Sequence, residues 1–183
     1  CRFILGNLAD FDPAAHDIAP EAMLPLDRFV LGTVARDHAA MLKAYGAYEF
    51  HKVFHTLHNL CVTDLSAFYL DVLKDRLYAS APTGKERRSA QTALWRILLI
   101  LLADMAPVLS FTAEEALSHL APSLRPQIAT IFALRDEQLH DFARQQILRG
   151  QANAQSLLLI INDLLYFSKI EPPKLSIENI DFA

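Results

Sequence analysis

The stretch Glu86-Arg-Arg-Ser-Ala-Gln-Thr-Ala-Leu-Trp95-Arg-Ile-Leu-Leu-Ile-Leu-Leu-Ala-Asp-Met105 decides the fold. It lacks glycine and proline and halts just before Pro107, so one long helix is expected. Its apolar run, Ile97 to Ala103, is bracketed by Arg96 and Asp104. A membrane span needs roughly 20 apolar residues, so this is a core helix. Trp95 shares a stripe with Leu98, Leu99 and Leu102 and is assigned to the core.

Outward from this helix the apolar spacing stays helical, and no clean alternation lasts long enough to make a convincing strand. A short first helix through Leu8 is followed by a turn-rich loop, Asp10 to Pro25, containing three prolines. Asp27 reads as the N-cap of a helix ending near Tyr45, broken by Gly46. The next helix, Ala47 to Val62, directs Phe50, Val53, Phe54, Leu57 and Leu60 to the core. Thr63 or Asp64 then caps a separate segment, Leu65 to Leu77. Ala81 to Gly84 links it to the long helix, and Thr112-Ala-Glu-Glu115 reads as a capping box opening another short one. The expected fold class is all-α, a helical bundle.

Composition shifts between Pro122 and Pro126, dividing the chain into units of residues 1–125 and 126–183. In the second, Leu157, Ile160 or Ile161, Leu164 and Phe167 form a seam that calls for a partner helix, giving an expected homodimer. Pro172-Pro173 ends that long helix, and the tail from Lys174 alternates like a short extended strand.

The 183 residues are 52% hydrophobic and 21% charged, as in ordinary globular domains rather than disordered chains. Five glycines and the lack of GxGxxG, GxxxxGK[ST] and HExxH patterns exclude the glycine-rich phosphate cradles and the helical zinc-protease motif. Cys1 and Cys61 are too few for a disulfide framework, which points to a cytoplasmic setting. The start on Cys1, with no signal-peptide pattern, suggests a piece of a longer protein. Glu114 and Glu115 are adjacent, so they face different sides of a helix and make no catalytic pair.

Net charge is −4, yet Lys74, Arg76, Lys85, Arg87, Arg88 and Arg96 face only Asp75 and Glu86 within one window. A basic island on an acidic chain is a candidate anion contact. Lys74, Arg76, Tyr78, Arg87 and Arg88 combine cations with an aromatic plane, the mixture that unstacked RNA bases and phosphates require. His51, His55, His58 and Cys61 lie along one helical stripe, but at 1.5 Å per residue the row covers about 15 Å. One ion cannot use all four. His51 and His55 alone make a weak pair, and no native metal site is expected.

Several of these stretches together resemble the isoleucyl-tRNA synthetases of bacterial type. They are Arg2-Phe-Ile-Leu-Gly-Asn-Leu8, Phe11-Asp-Pro13, Leu26-Asp-Arg28, Ala44-Tyr45, Tyr48-Glu-Phe-His51, the Phe68–Tyr78 run and Leu109-Ser-Phe-Thr-Ala-Glu-Glu115, in colinear order over about residues 1–121. The likeness is to the helical domain that follows the catalytic core and holds the anticodon stem-loop. It implies a tRNA-binding bundle of the class I synthetase type, with the isoleucine tRNA as partner. Neither ATP motif of that family occurs in the chain, and no zinc-binding module does. The resemblance therefore implies a binding unit without aminoacylating activity, needing neither ATP nor zinc. A second stretch, Asn162-Asp-Leu-Leu-Tyr-Phe-Ser-Lys-Ile-Glu171, resembles the second dimerisation helix of sensor histidine kinases over about 138–182. That likeness implies a signalling or dimerisation module without kinase activity, since His140 lacks the family's Thr-Pro box and is not a phosphoacceptor.

Overall fold

The computed structural model describes residues 1–121 and Leu124, and over these residues all regular structure is helical. Helix α1 (Arg2–Asn7) leads to α2 (Pro13–His16), which the sequence reading takes as loop. Asp12 accepts a hydrogen bond from the Ala14 amide at 3.0 Å and Pro13 occupies the first helical position, a start signal that lies in plain view. Helix α3 (Pro25–Gly46) likewise opens on a proline, so Asp27 falls inside the first turn and is not its N-cap. Proline's fixed φ suits the first helical position, so the N-cap is Leu24, three residues before Asp27, and Asp27 lies on the buried side of the helix.

The helix ends at Gly46, as the sequence reading expects. The helix closes on two reversed bonds, Tyr48 N–H to the Tyr45 carbonyl (3.1 Å) and Glu49 N–H to that of Ala44 (2.8 Å). This closure places Tyr48 in the left-handed region, φ 58°, where glycine is the usual occupant.

From Phe50 to Ala79 the backbone is helical without interruption: α4 (Phe50–Asn59), a π-helical stretch (Leu60–Tyr69) and α5 (Leu70–Ala79). Neither Thr63 nor Asp64 caps anything. The buried residues explain why: Val53, Leu57 and Leu60 are followed by Leu65, Tyr69, Leu73 and Leu77. The step of five from Leu60 to Leu65, and the fours after it, overshoot an α-helical repeat of roughly 3.6. Bonds to the fifth residue widen the turn and keep one side of the rod on the core throughout. Ser66 Oγ donates to the Cys61 carbonyl at 2.7 Å, satisfying an acceptor inside the widened turn. Phe50 and Phe54 point outward, against expectation, because Val53 and Leu57 already occupy the inward side.

Helix α6 (Lys85–Met105) forms the middle of the bundle, packed against α1, α2, α3, α5 and α7 (Ser110–Ser118). Leu94, Ile97, Leu98, Ile100 and Leu102 are wholly enclosed, and Trp95 is buried as its stripe requires. Helix α7 begins before Thr112, so the Thr112–Glu115 capping box does not form. Ser110 Oγ instead donates to the Ala106 carbonyl at 2.6 Å, tying the start of α7 to the end of α6. Among the described residues no helix is long and apolar enough to cross a membrane. The Pro122–Pro126 boundary, the long C-terminal helix, its dimer seam and the alternating tail lie outside the described residues.

Candidate nucleic-acid interface

The five candidate contact residues fall into two groups. Arg76, Arg87 and Arg88 turn their guanidinium groups onto the protein, whereas Lys74 and Tyr78 project from α5 into solvent. Arg76 grips the fully buried Asp27 at both oxygens, 3.0 Å to Oδ1 and 2.6 Å to Oδ2, and also donates to the Glu86 carbonyl at 2.9 Å. Such a two-point fork is among the stronger polar contacts a protein makes. Tyr69 Oη donates to Asp27 Oδ1 at 2.8 Å, and Ser89 Oγ donates to Oδ2 at 2.5 Å while accepting from the Leu24 amide. Burial, and then the Asp27 carboxylate, push the Tyr69 hydroxyl well above its ordinary value, keeping it a donor. One carboxylate thus joins α3, the π-helical stretch, α5 and α6.

Arg87 and Arg88 close a second junction. Arg87 reaches both Asp10 oxygens, at 3.0 and 3.1 Å, and the Leu77 carbonyl. Arg88 donates to the Asp10 carbonyl (3.0 Å) and to Gln91 Oε1 (2.7 Å). Gln91 in turn donates to the Asn7 carbonyl and to Asp10 Oδ1. Burial opposes ionisation of Asp10, but the bonds from Arg87 and Gln91 hold its carboxyl below the ordinary value. Farther along α6, Arg96 pairs with Asp17 at 2.8 Å and Thr92 Oγ1 accepts from the Ile18 amide at 3.1 Å. Much of the basic island therefore fastens the N-terminal segment to α6. Sequence reading missed the acids that receive these cations. Asp27 sits in the quoted Leu26-Asp-Arg28 but reads there as a helix cap, and Asp10 reads as part of a loop.

Among the described residues the other buried acid is Asp104 on α6, 2.7 Å from His38 Nδ1 on α3, with Oδ2 left without a partner. Tyr45 Oη donates to the Asp104 carbonyl at 2.6 Å. Burial raises the Asp104 carboxyl above its ordinary value, His38 opposing and Asp37 adding to the rise. The neutral acid is therefore favoured by the fold. Its stabilising share is complete below the unfolded value of about 4 and is lost as pH rises through the raised value. Asp104→Asn, which cannot ionise, is expected to gain on the native chain in urea melts between pH 4 and pH 7. Parallel stability curves across that range would contradict this. His51 and His55 stand exposed on α4, and among the described residues no group of three or more His, Cys, Asp or Glu is placed to hold a metal ion.

An all-helical bundle with a polar lock at its centre and exposed cation and aromatic groups at one helix end fits a nucleic-acid-binding scaffold. The comparisons with known proteins go further. The family model described as the anticodon-binding domain of tRNA ligase matches residues 27–152, and the chain belongs to that family. An isoleucine–tRNA ligase of Nitratidesulfovibrio vulgaris, strain Miyazaki F, is 59% identical over 155 residues, which is 83% of this chain and 16% of the relative. That of Desulfovibrio desulfuricans is 63% identical over 135 residues, 73% of this chain and 14% of the relative. That of Carboxydothermus hydrogenoformans is 50% identical over 118 residues, 64% and 13%. The chain thus spans less than a fifth of the length of these relatives. The family match runs past Pro126 and enters the second of the two units expected from the sequence. The sensor-kinase likeness over 138–182 finds no support in these comparisons.

Proposed function

We propose that this chain is the tRNA-binding helical module of an isoleucine–tRNA ligase and supplies binding rather than chemistry. One observation carries the reading: the match to the anticodon-binding family coincides with 59% identity to an isoleucine–tRNA ligase over 155 residues. The partner is the isoleucine tRNA, held by its anticodon stem-loop.

Lys74 and Tyr78, exposed on α5, are the members of the candidate set whose side chains are free to meet it, and exposed Lys85 stands at the start of α6. The Lys74–Asp71 pair at 2.6 Å is exposed on both sides, and an ion pair of that kind gives way readily to a phosphate. Arg76, Arg87 and Arg88 hold the shape of this surface from beneath.

The test is a fluorescence titration of the full chain with the isoleucine tRNA and an unrelated tRNA at several salt concentrations. Tighter binding to the isoleucine tRNA is expected. Lys74→Glu with Lys85→Glu should weaken that binding and flatten its logarithmic salt slope by roughly one unit per lost phosphate contact. Equal affinity for both tRNAs would remove the isoleucine assignment, and an unchanged slope would remove the contact assignment.

A further inference from the structure

The exposed face of α4 carries a row of rings that the interior does not use. Tyr48 is 81% exposed, Phe54 is 62% exposed and Phe50 is half-exposed, with His55 and His58 exposed beside them. The rings touch in two groups: Phe50 lies edge-on to Tyr48 (centroids 6.3 Å) and to the part-buried Tyr45 (6.2 Å), and Phe54 meets His55 at 5.7 Å and His58 at 6.0 Å. Solvent alone gives no reason for such a row, since water disfavours exposed aromatic surface. Tyr48 sharpens the point. The closure of α3 needs a left-handed residue there, which glycine supplies without strain, yet the position holds a tyrosine whose ring gains almost no burial.

Charge selects the occupant. From Phe50 to Val62 there is no Asp or Glu, in a chain with more acids than lysines and arginines overall. The acid at the edge of the row, Glu49, is held by Lys52 at 2.7 Å. Exposed rings and imidazoles on a helix whose own residues include no acid, with Glu49 at its edge neutralised by Lys52, complement a ligand with flat, unpaired faces, which is the chemistry of single-stranded RNA bases.

We infer that Tyr48, Phe50, Phe54, His55 and His58 form a stacking platform for unpaired bases of the bound RNA, separate from the Lys74–Tyr78 surface at the far end of the same helical rod. This rests on the tRNA-binding reading above and adds to it a place where bases, rather than phosphates, are held.

The experiment uses the full chain with labelled isoleucine tRNA, challenged by oligouridylate and by a blunt RNA duplex of equal length. Tyr48→Leu with Phe54→Leu keeps apolar bulk and removes the flat faces. The double variant should bind on the order of tenfold or more weakly, with an unchanged melting temperature because both rings are exposed. Oligouridylate should compete with the native chain and the duplex should not. Photo-crosslinking of 4-thiouridine RNA should label peptides within residues 48–58. Affinity within twofold of native, or crosslinks confined to residues 74–88, would overturn the platform and leave the tRNA reading standing. If the native chain binds no tRNA at all, both fall.

Discussion

A chain begun at Asp27, where the family match begins, is expected not to fold, whereas the chain begun at Cys1 folds cooperatively. The difference lies in what residues 1–26 bury. Ile4, Leu8, Phe11 and Met23 are almost fully enclosed, packed in the same core as α6. Each large apolar side chain taken from water contributes about 1.5–3 kcal/mol, an upper bound because unfolded chains already hide some surface. Four of them amount to roughly 6–12 kcal/mol, against the 5–15 kcal/mol by which domains of this size are usually stable. The polar losses add to this. Without Asp10 and Asp17, the mostly buried Arg87, Arg88 and Arg96 lose these carboxylates, and Ser89 and Thr92 lose the amides of Leu24 and Ile18. Circular dichroism and urea titration of the 27–183 chain decide the matter. A sharp transition with native helicity would show that the N-terminal segment is an accessory to the bundle and not part of its core.

The second large effect is expected at the Asp27 junction. Asp27→Asn replaces one acceptor oxygen with an N–H₂ group that must face either Arg76 and Tyr69 or Arg76 and Ser89, all of them donors. It also leaves the Arg76 guanidinium, mostly buried, without its counter-charge. Breaking a buried pair from one side typically costs about 3–5 kcal/mol, much of the margin of a single domain. Arg76→Met should cost a similar amount by stranding the carboxylate. The two changes together should cost less than their sum, with a coupling of about 0.5–3 kcal/mol. Strictly additive losses in urea melts would mean that the two groups do not depend on each other. The same variants separate scaffold from contact. If Arg76 acts only as a scaffold, tRNA affinity per folded molecule in Arg76→Met stays near native, while Lys74→Glu loses affinity without losing stability.

How far the sequence could be read depends on how local each signal is. The long helix from Lys85 to Met105 is legible because 21 successive residues agree on one conformation, and the burial of Trp95 follows from its stripe. The helix after Tyr48 was legible as a helix but not in its outward side. Phe50 and Phe54 fit an inward stripe as well as Val53 and Leu57 do, and only packing against α3 chose between them. In sequence the π-helical stretch reads as a break, because Thr63 and Asp64 are good caps in isolation. The step of five from Leu60 to Leu65 was the available signal, and it has meaning only once both flanking helices are known to share one core.

The candidate interface divides along the same line. That the chain is helical, that it resembles a tRNA-binding domain, and that a basic island lies between Lys74 and Arg96 are properties of composition, order and short-range spacing, and the sequence alone determined them. Which cations face solvent was decided by tertiary structure. Arg76 and Arg87 find their carboxylates 49 and 77 residues away, at Asp27 and Asp10, and no local pattern reports such a pairing. A charge exposed in the extended chain can be neutralised inside the fold by any acid the topology brings to it. The sequence therefore shows how many charges there are, and the packing of α6 against the N-terminal segment decides which of them remain exposed to solvent.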